Sequence, residues 1–252
     1  AVPYLESVIL GAGALARFGT PEQRDQWAAS AVTGDKILTV ALDGEFGQGP
    51  VQATAAGDGF KLTGTRTQVA YGPVADAFLV PAETDSGVKV FLVAATDSGV
   101  TVTSLDTTGH GSIAHLDLQG VAVAADRVVG GSEVASWLQL HNVLGRSAFQ
   151  LGVVERALEL TALYAREREQ FDRPIGAYQA VSHACAELLK QVEGARSLVY
   201  YAGWAAGAAP DEFSLAASMA KAYASDAGWN VTARALQVHC GVGRPRGTGT
   251  PI

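Results

Sequence analysis

The sequence predicts an α+β multidomain fold with short helices first, an antiparallel β-barrel in the middle and an antiparallel helix bundle last. Three observations carry that expectation. The hydrophobic spacing is helical from Tyr4 to about Ala31. It changes to short β-rich runs between about Asp35 and Val129. It returns to helical spacing after Gly130-Gly131 and holds almost to the end. The segments 1–34, 35–130 and 131–252 follow as helical, β and helical domains. With 252 residues, 48% of them hydrophobic, the chain has enough apolar mass to fill buried cores.

In the first segment, Leu5, Val8, Ile9, Ala12 and Leu15 share one face of a helix, and Thr20-Pro21-Glu22-Gln23 opens a second one. Thr20 caps it, Pro21 suits its first position, and Gln23 completes a capping box. The second segment holds the runs KILTVAL, FKLTGTRTQVA, DAFLVPA, VKVFLVAA, VTVTSL and HLDLQGVAV, separated by Gly, Asp and Ser. Strands at such short, regular spacing read as an antiparallel barrel or sandwich. The third segment divides into helices of about 132–169, 176–207 and 211–240. In the middle one, Tyr178, Val181, Cys185, Leu188, Val192, Ala195 and Val199 recur at three and four. Short connections make these neighbours antiparallel. The small residues of GWAAGAAP and SLAASMAKAYASDAG let helices approach closely, in a bundle or at a subunit interface.

A formal charge of −7 argues against a general nucleic-acid binder, which needs clustered Lys and Arg. Cys185 and Cys240 fall in no metal-ligand or disulfide spacing, which points to a reducing cytoplasm. No apolar run reaches the roughly 20 residues that span a bilayer, so no membrane partner is expected. The opening AVPYLESVILGAGALARFG reads as a soluble helix, without the basic start and cleavage site of a signal peptide.

The segment REREQFDRPIGAYQA, residues 166–180, places many charges and an aromatic beside a Pro-Ile-Gly turn between two helices. Joined to ALQVHCGVG and to the order helix, barrel, bundle, it resembles the acyl-CoA dehydrogenase family. There an Arg-x-x-Phe-Gly-x-x-(Ile/Leu)-x-x-x-Gln segment joins two bundle helices and a Gln-x-x-Gly-Gly segment follows. Asp172 replaces the first Gly of one motif and Cys240 that of the other. FGTPEQRDQW, GFKLTGTRT, VADAFLV and LQGVAVAADRVVGG extend the resemblance over nearly the whole chain. Family members are usually longer at both ends, so the resemblance implies a truncated N-terminal helical domain and an incomplete bundle.

The resemblance implies FAD as cofactor, with Arg168 on the pyrophosphate of a neighbouring subunit's flavin. A guanidinium matches those oxygens in a fork that Lys cannot copy. Gln170, Phe171 and Gln179 would surround the same dinucleotide, and Gln237, Cys240 and Gly241 would lie near its adenine end. Taken singly, Arg168 reads as a solvated helix end, Phe171 as a core plug and Gln179 as a surface amide; the combined spacing favours the cofactor reading. His183 and His239 read as interior or interface histidines, and Tyr200, Tyr201 and Trp204 as packing groups.

The departures from the family pattern form a set. The catalytic glutamate of the family has two known places. No acid follows Asp226 in this chain, and the other place falls on Asn142, an amide that cannot act as a base. The arginine that often follows that second place falls on Val143, with Arg146 one turn away. Where the family reads Leu-Thr-Glu-Pro-Gly-x-Gly-Ser-Asp, Asp43 stands for the Thr and Gly44 for the Glu. Gln68-Val69-Ala70 replaces Trp-(Ile/Phe)-(Thr/Ser). The set implies a non-catalytic chain of a heteromeric enzyme, similar to the α2β2 members of actinobacterial steroid side-chain degradation. A homologous partner would then supply the glutamate and most of the acyl-CoA cleft, with electron-transfer flavoprotein as acceptor. The rival readings are a homotetrameric dehydrogenase seen over part of its chain and a structural or regulatory relative that binds no flavin.

Overall fold

A computed structural model describes residues 3–44, 48–107 and 111–240. The chain divides into two compact units, Ala1–Asn142 and Val143–Ile252.

The first unit begins with Tyr4–Ala12, a turn wound more loosely than an α-helix, which runs into α1 (Gly13–Phe18). The Gly13 N–H reaches back to the carbonyl of Val8, an i→i+5 closure. Each loosened turn holds an extra residue, so the inward face differs from the one an α-helical period predicts. Ala12 and Leu15 are buried as expected, but Glu6, Ser7, Leu10 and Gly11 join them, while Ile9 is exposed. The capping box forms as read from the sequence. Thr20 Oγ1 accepts the Gln23 N–H at 3.2 Å, and the Thr20 N–H donates to Gln23 Oε1 at 3.2 Å. The Gln23 amide also donates to the carbonyls of Asp126 at 2.7 Å and Val128 at 3.2 Å, tying α2 (Pro21–Gln23) to the end of the β region. A second loosely wound turn, Arg24–Ala28, leads into α3 (Ala29–Thr33), which stops at Gly34 in the left-handed conformation.

Eight strands follow: β1 (Leu38–Val40), β2 (Val51–Ala56), β3 (Gly59–Ala70), β4 (Ala77–Thr84), β5 (Gly87–Ala94), β6 (Val100–Leu105), β7 (Ile113–Ala124) and β8 (Val128–Gly130). They form one sheet in the order β6-β7-β3-β2-β4-β5-β8, with β1 added on β4. Most pairs are antiparallel, as expected, but β1 and β2 both run parallel to β4. They share its length: Leu38 to Val40 lie beside Ala77 to Leu79, and Val51 and Gln52 beside Ala82 and Glu83. The middle strands are covered on both faces. Leu79, Val90 and Leu92 join Leu10, Leu15 and Leu138 in one core, while Phe78, Val80, Phe91 and Val93 join Leu62, Leu116 and Leu118 in another. Double burial explains why AFLV and VFLV are continuous apolar runs instead of alternating ones.

The long helix α4 (Ser132–Glu167) enters the second unit, where α5 (Gln179–Ala208) and α6 (Pro210–His239) complete three long helices within two residues of the predicted boundaries, except that α5 begins three residues later. Leu188, Val192, Ala195 and Val199 of α5 are buried as the spacing predicts, together with Ala216, Ala220, Ala224 and Ala227 of α6. Tyr164 of α4 stacks on His239 of α6 with ring centroids 4.6 Å apart. His239 is interior, as expected, and its Nδ1 lies 2.8 Å from the Ala235 carbonyl. His183, by contrast, is exposed, and so are Tyr200, Tyr201 and Trp204. Within that aromatic group Tyr201 stacks on Trp204 and bonds Glu212 at the start of α6.

Candidate cofactor cavity

The charged segment between α4 and α5 folds into a two-stranded hairpin, β9 (Glu169–Gln170) against β10 (Arg173–Pro174). Its two-residue loop is Phe171-Asp172, and both residues have positive φ, 55° and 61°. A tight hairpin demands that conformation at both central positions, and Asp tolerates it better than most residues, which is why Asp172 can stand where Gly is usual. The base of the hairpin is fastened three times. The Arg168 N–H donates to the Tyr164 carbonyl at 2.9 Å, the Ile175 N–H to the Arg168 carbonyl at 2.8 Å, and the Tyr178 hydroxyl to the Gln170 carbonyl at 3.1 Å. Arg173 lies 4.0 Å over the Tyr178 ring. Gly176 is fixed by space: a Cβ there would come 2.9 Å from the Ala165 carbonyl oxygen of α4.

The hairpin, the first turns of α5 and the last turns of α6 line an open cavity of about 640 Å³. Gln170, Phe171, Ile175 and Tyr178 form one wall, Ala180, Val181 and Ala184 the floor, and Arg234, Gln237, Val238 and Cys240 the other wall. Gln170, Phe171, Gln237 and Cys240, four of the residues singled out in the sequence, are thus brought together from two distant segments. Arg168 and Gln179 stand at the hairpin base and at the first position of α5, both exposed, and neither lines the cavity. Gly241 lies outside the described residues. Phe171 is 88% exposed, so it is a lip of the cavity and not a core plug.

Cys240 ends α6 with φ 52° and ψ −135°, a combination that favours glycine. A Gly would adopt this backbone shape more easily than Cys does. Its Sγ lies 3.3 Å from the Gln237 carbonyl. Arg234 and Val238 were not read from the sequence as site residues, although i, i+3 and i+4 spacing puts both on the face of α6 that carries Gln237. Tyr178 and Val181 read as core positions, and both are only partly buried where they line the cavity. The lining offers apolar and aromatic groups, two amides and one guanidinium.

The C-terminal domain model of the acyl-CoA dehydrogenases matches residues 130–250, the region that builds this cavity. Acyl-CoA dehydrogenase FadE27 of Mycobacterium tuberculosis is 58% identical over 250 residues, which cover 96% of this chain and 67% of that protein. The chain belongs to the acyl-CoA dehydrogenase family. Among solved structures of this family, the ChsE4-ChsE5 complex from Mycobacterium tuberculosis contains a chain with 59% identity and a TM-score of 0.93, over 96% of this chain and 66% of that one. A steroid ACAD of the Tcur3481-Tcur3483 pair follows at 34% identity and TM-score 0.85, over 96% and 66%. The chain spans about two thirds of the length of these relatives.

In the first unit, the structure describes Asp43 and Gln68, two of the positions read in the sequence as departing from the family pattern. Asp43 accepts the Thr67 N–H at its carbonyl, 3.1 Å away. Asp43 also interacts with Arg66, a side chain only 7% exposed that donates to the carbonyls of Gly49 at 3.3 Å and Thr65 at 3.2 Å. Burial holds the Arg66 pKa below its ordinary value, and the charges of Asp43 and Glu83 partly oppose that. Gln68 has φ 55° at a bulge that breaks the β3–β7 register between Arg66 and Val69. Asn142 is buried in α4. Among the described residues no group of three His, Cys, Asp or Glu could hold a metal, and no helix is long and apolar enough to cross a membrane.

Proposed function

We propose that this chain is a subunit of a heteromeric FAD-dependent acyl-CoA dehydrogenase, and that it lends its cavity to a flavin whose ring sits in a homologous partner. The observation that carries this reading is the gathering of Gln170, Phe171, Gln237 and Cys240 around one cavity. A lining of apolar walls, an aromatic lip, two amides and a cation fits the adenosine diphosphate half of FAD: apolar groups take the adenine face, amides read polar edges, and a guanidinium takes phosphate. Arg168 and Gln179, beside the hairpin, approach the same cofactor from outside the cavity. When bound, FAD supplies the acceptor for the hydride leaving the substrate's β-carbon.

This chain's own residues bind and orient; they do not remove the substrate's α-proton. Asn142 is an amide where a carboxylate base would stand. Asp43, Gly44, Gln68 and Ala70 replace the groups that would face a flavin ring held by this chain. The partner therefore supplies the catalytic glutamate and most of the acyl-CoA cleft. The similarity to a chain of the ChsE4-ChsE5 complex and to a steroid ACAD supports a steroid side-chain CoA thioester as substrate. An electron-transfer flavoprotein is the proposed acceptor, and the cytoplasm the proposed location. The segments 1–34, 35–130 and 131–252 are the proposed N-terminal helical, β-barrel and helical bundle domains of this chain.

Native mass spectrometry of the chain co-expressed with its homologous partner tests the reading. Two copies of each chain with two FAD are expected. A homotetramer with four FAD refutes the division of labour, and a colourless complex refutes the flavin role altogether.

A further inference from the structure

The cavity contains one cation that the family motifs do not include. Among the described lining residues Arg234 is the only charged one, and Arg168, the arginine of the motif, is not among them. Arg234 sits one turn before Gln237 on the same face of α6, so the two residues line the cavity side by side. On α5 it interacts electrostatically with Glu187. That carboxylate is already engaged: Lys190 reaches it at 2.5 Å, and Lys190 comes before Arg234 among the causes that hold the Glu187 pKa below the usual carboxylate range. Among the described residues Arg234 makes no hydrogen bond. An exposed guanidinium that lines a mainly apolar cavity, with the nearby acid bonded to Lys190, is available to an anion that enters the cavity.

We propose that Arg234 contacts a phosphate of the adenine dinucleotide in this cavity, making it a second cationic contact besides Arg168. The inference rests on the FAD reading above and adds to it the residue that recognises the anion from inside. Arg168 stands at the hairpin base, outside the cavity lining, and Arg234 on α6 within it, so the two guanidinium groups come from different segments.

The test measures FAD affinity of the deflavinated complex, this chain with its homologous partner, by quenching of flavin fluorescence. Arg234→Gln is expected to weaken binding about tenfold to a hundredfold, the range for one charge-assisted hydrogen bond. The deficit should shrink as KCl is raised. Arg234→Lys should recover part of the affinity, keeping the charge without the fork. Glu187→Gln is expected to stay within about twofold of wild type. The proposal is overturned if Arg234→Gln binds FAD as wild type does, or if Glu187→Gln matches its loss, since Arg234 would then act through α5–α6 packing. Coenzyme A offers the same adenine and phosphate chemistry. If Arg234→Gln weakens coenzyme A and leaves FAD unchanged, the assignment to FAD is also overturned. The underlying flavin reading fails separately, if the wild-type complex takes up no FAD or if Arg168→Ala and Gln237→Ala both bind it undiminished.

Discussion

Replacing Cys240 by glycine should stabilise the protein, reversing the usual order of the two residues. At φ 52° and ψ −135° the Cys240 backbone lies where a Cβ is crowded, a strain of about 1–3 kcal/mol for a non-glycine residue. Glycine removes that strain but adds unfolded-chain entropy of about 0.5–1 kcal/mol. The lost Sγ contact to the Gln237 carbonyl, at 3.3 Å and on an exposed side chain, is weak. The balance is a gain of about 1 kcal/mol, or roughly 2–4 °C in Tm for a chain of this size. Alanine is the decisive control because it keeps the Cβ and loses the sulfur. Cys240→Ala should therefore sit close to wild type in a thermal or urea melt, with Cys240→Gly above both. If glycine proves less stable than alanine, as it is at ordinary backbone angles, the end of α6 does not hold the strained geometry and the argument for a retained glycine conformation fails.

Gly176→Ala should cost about 1–3 kcal/mol, because its Cβ would meet the Ala165 carbonyl, a backbone group that cannot swing aside. Gly203→Ala, in open space on α5, should stabilise by about 0.5–1 kcal/mol in the same melts and so serves as the contrast. His141, stacked 4.0 Å from Trp137, has its pKa held below the ordinary value by burial first, with the Arg17 charge adding to the effect. Its neutral form is the one the fold favours. The unfolded chain then binds more protons, so stability present above about pH 6.5 should be lost as pH falls below that value. His141→Gln should flatten the Tm-against-pH curve in that window; an unchanged slope would remove His141 as its cause.

What could be read from the sequence was mostly local. Thr20 and Gln23 announce their capping box because both partners lie within one turn. The boundaries of α4, α5 and α6 follow from period and from Pro174, Gly176 and Pro210. The first helix misled because its period is not 3.6: Ile9 looked inward only on an α-helical wheel. β2 was missed because VQATAA is short and rich in Ala, a weak strand former that reads as linker until its pairing with β3 is known. The parallel placing of β1 and β2 on β4 depends on which distant strands meet, and no local pattern encodes it. The site divided in the same way. Gln170, Phe171, Gln237 and Cys240 were visible through motif spacing. Arg234 and Tyr178 became visible only when the hairpin and α6 closed around one space.

That closure has a consequence for how the protein is made. One wall of the cavity comes from the hairpin before α5 and the other from the last turns of α6, so the cavity cannot exist until the intervening helices have folded back on each other. Any molecule that fills it binds the finished arrangement and none of its precursors, and shifts the folding equilibrium by mass action toward that state. Occupancy of the cavity thus records that α6 has been made and has folded back: a ribosome-bound chain that has emerged only through α5 carries every residue of the first wall and still has nothing to hold.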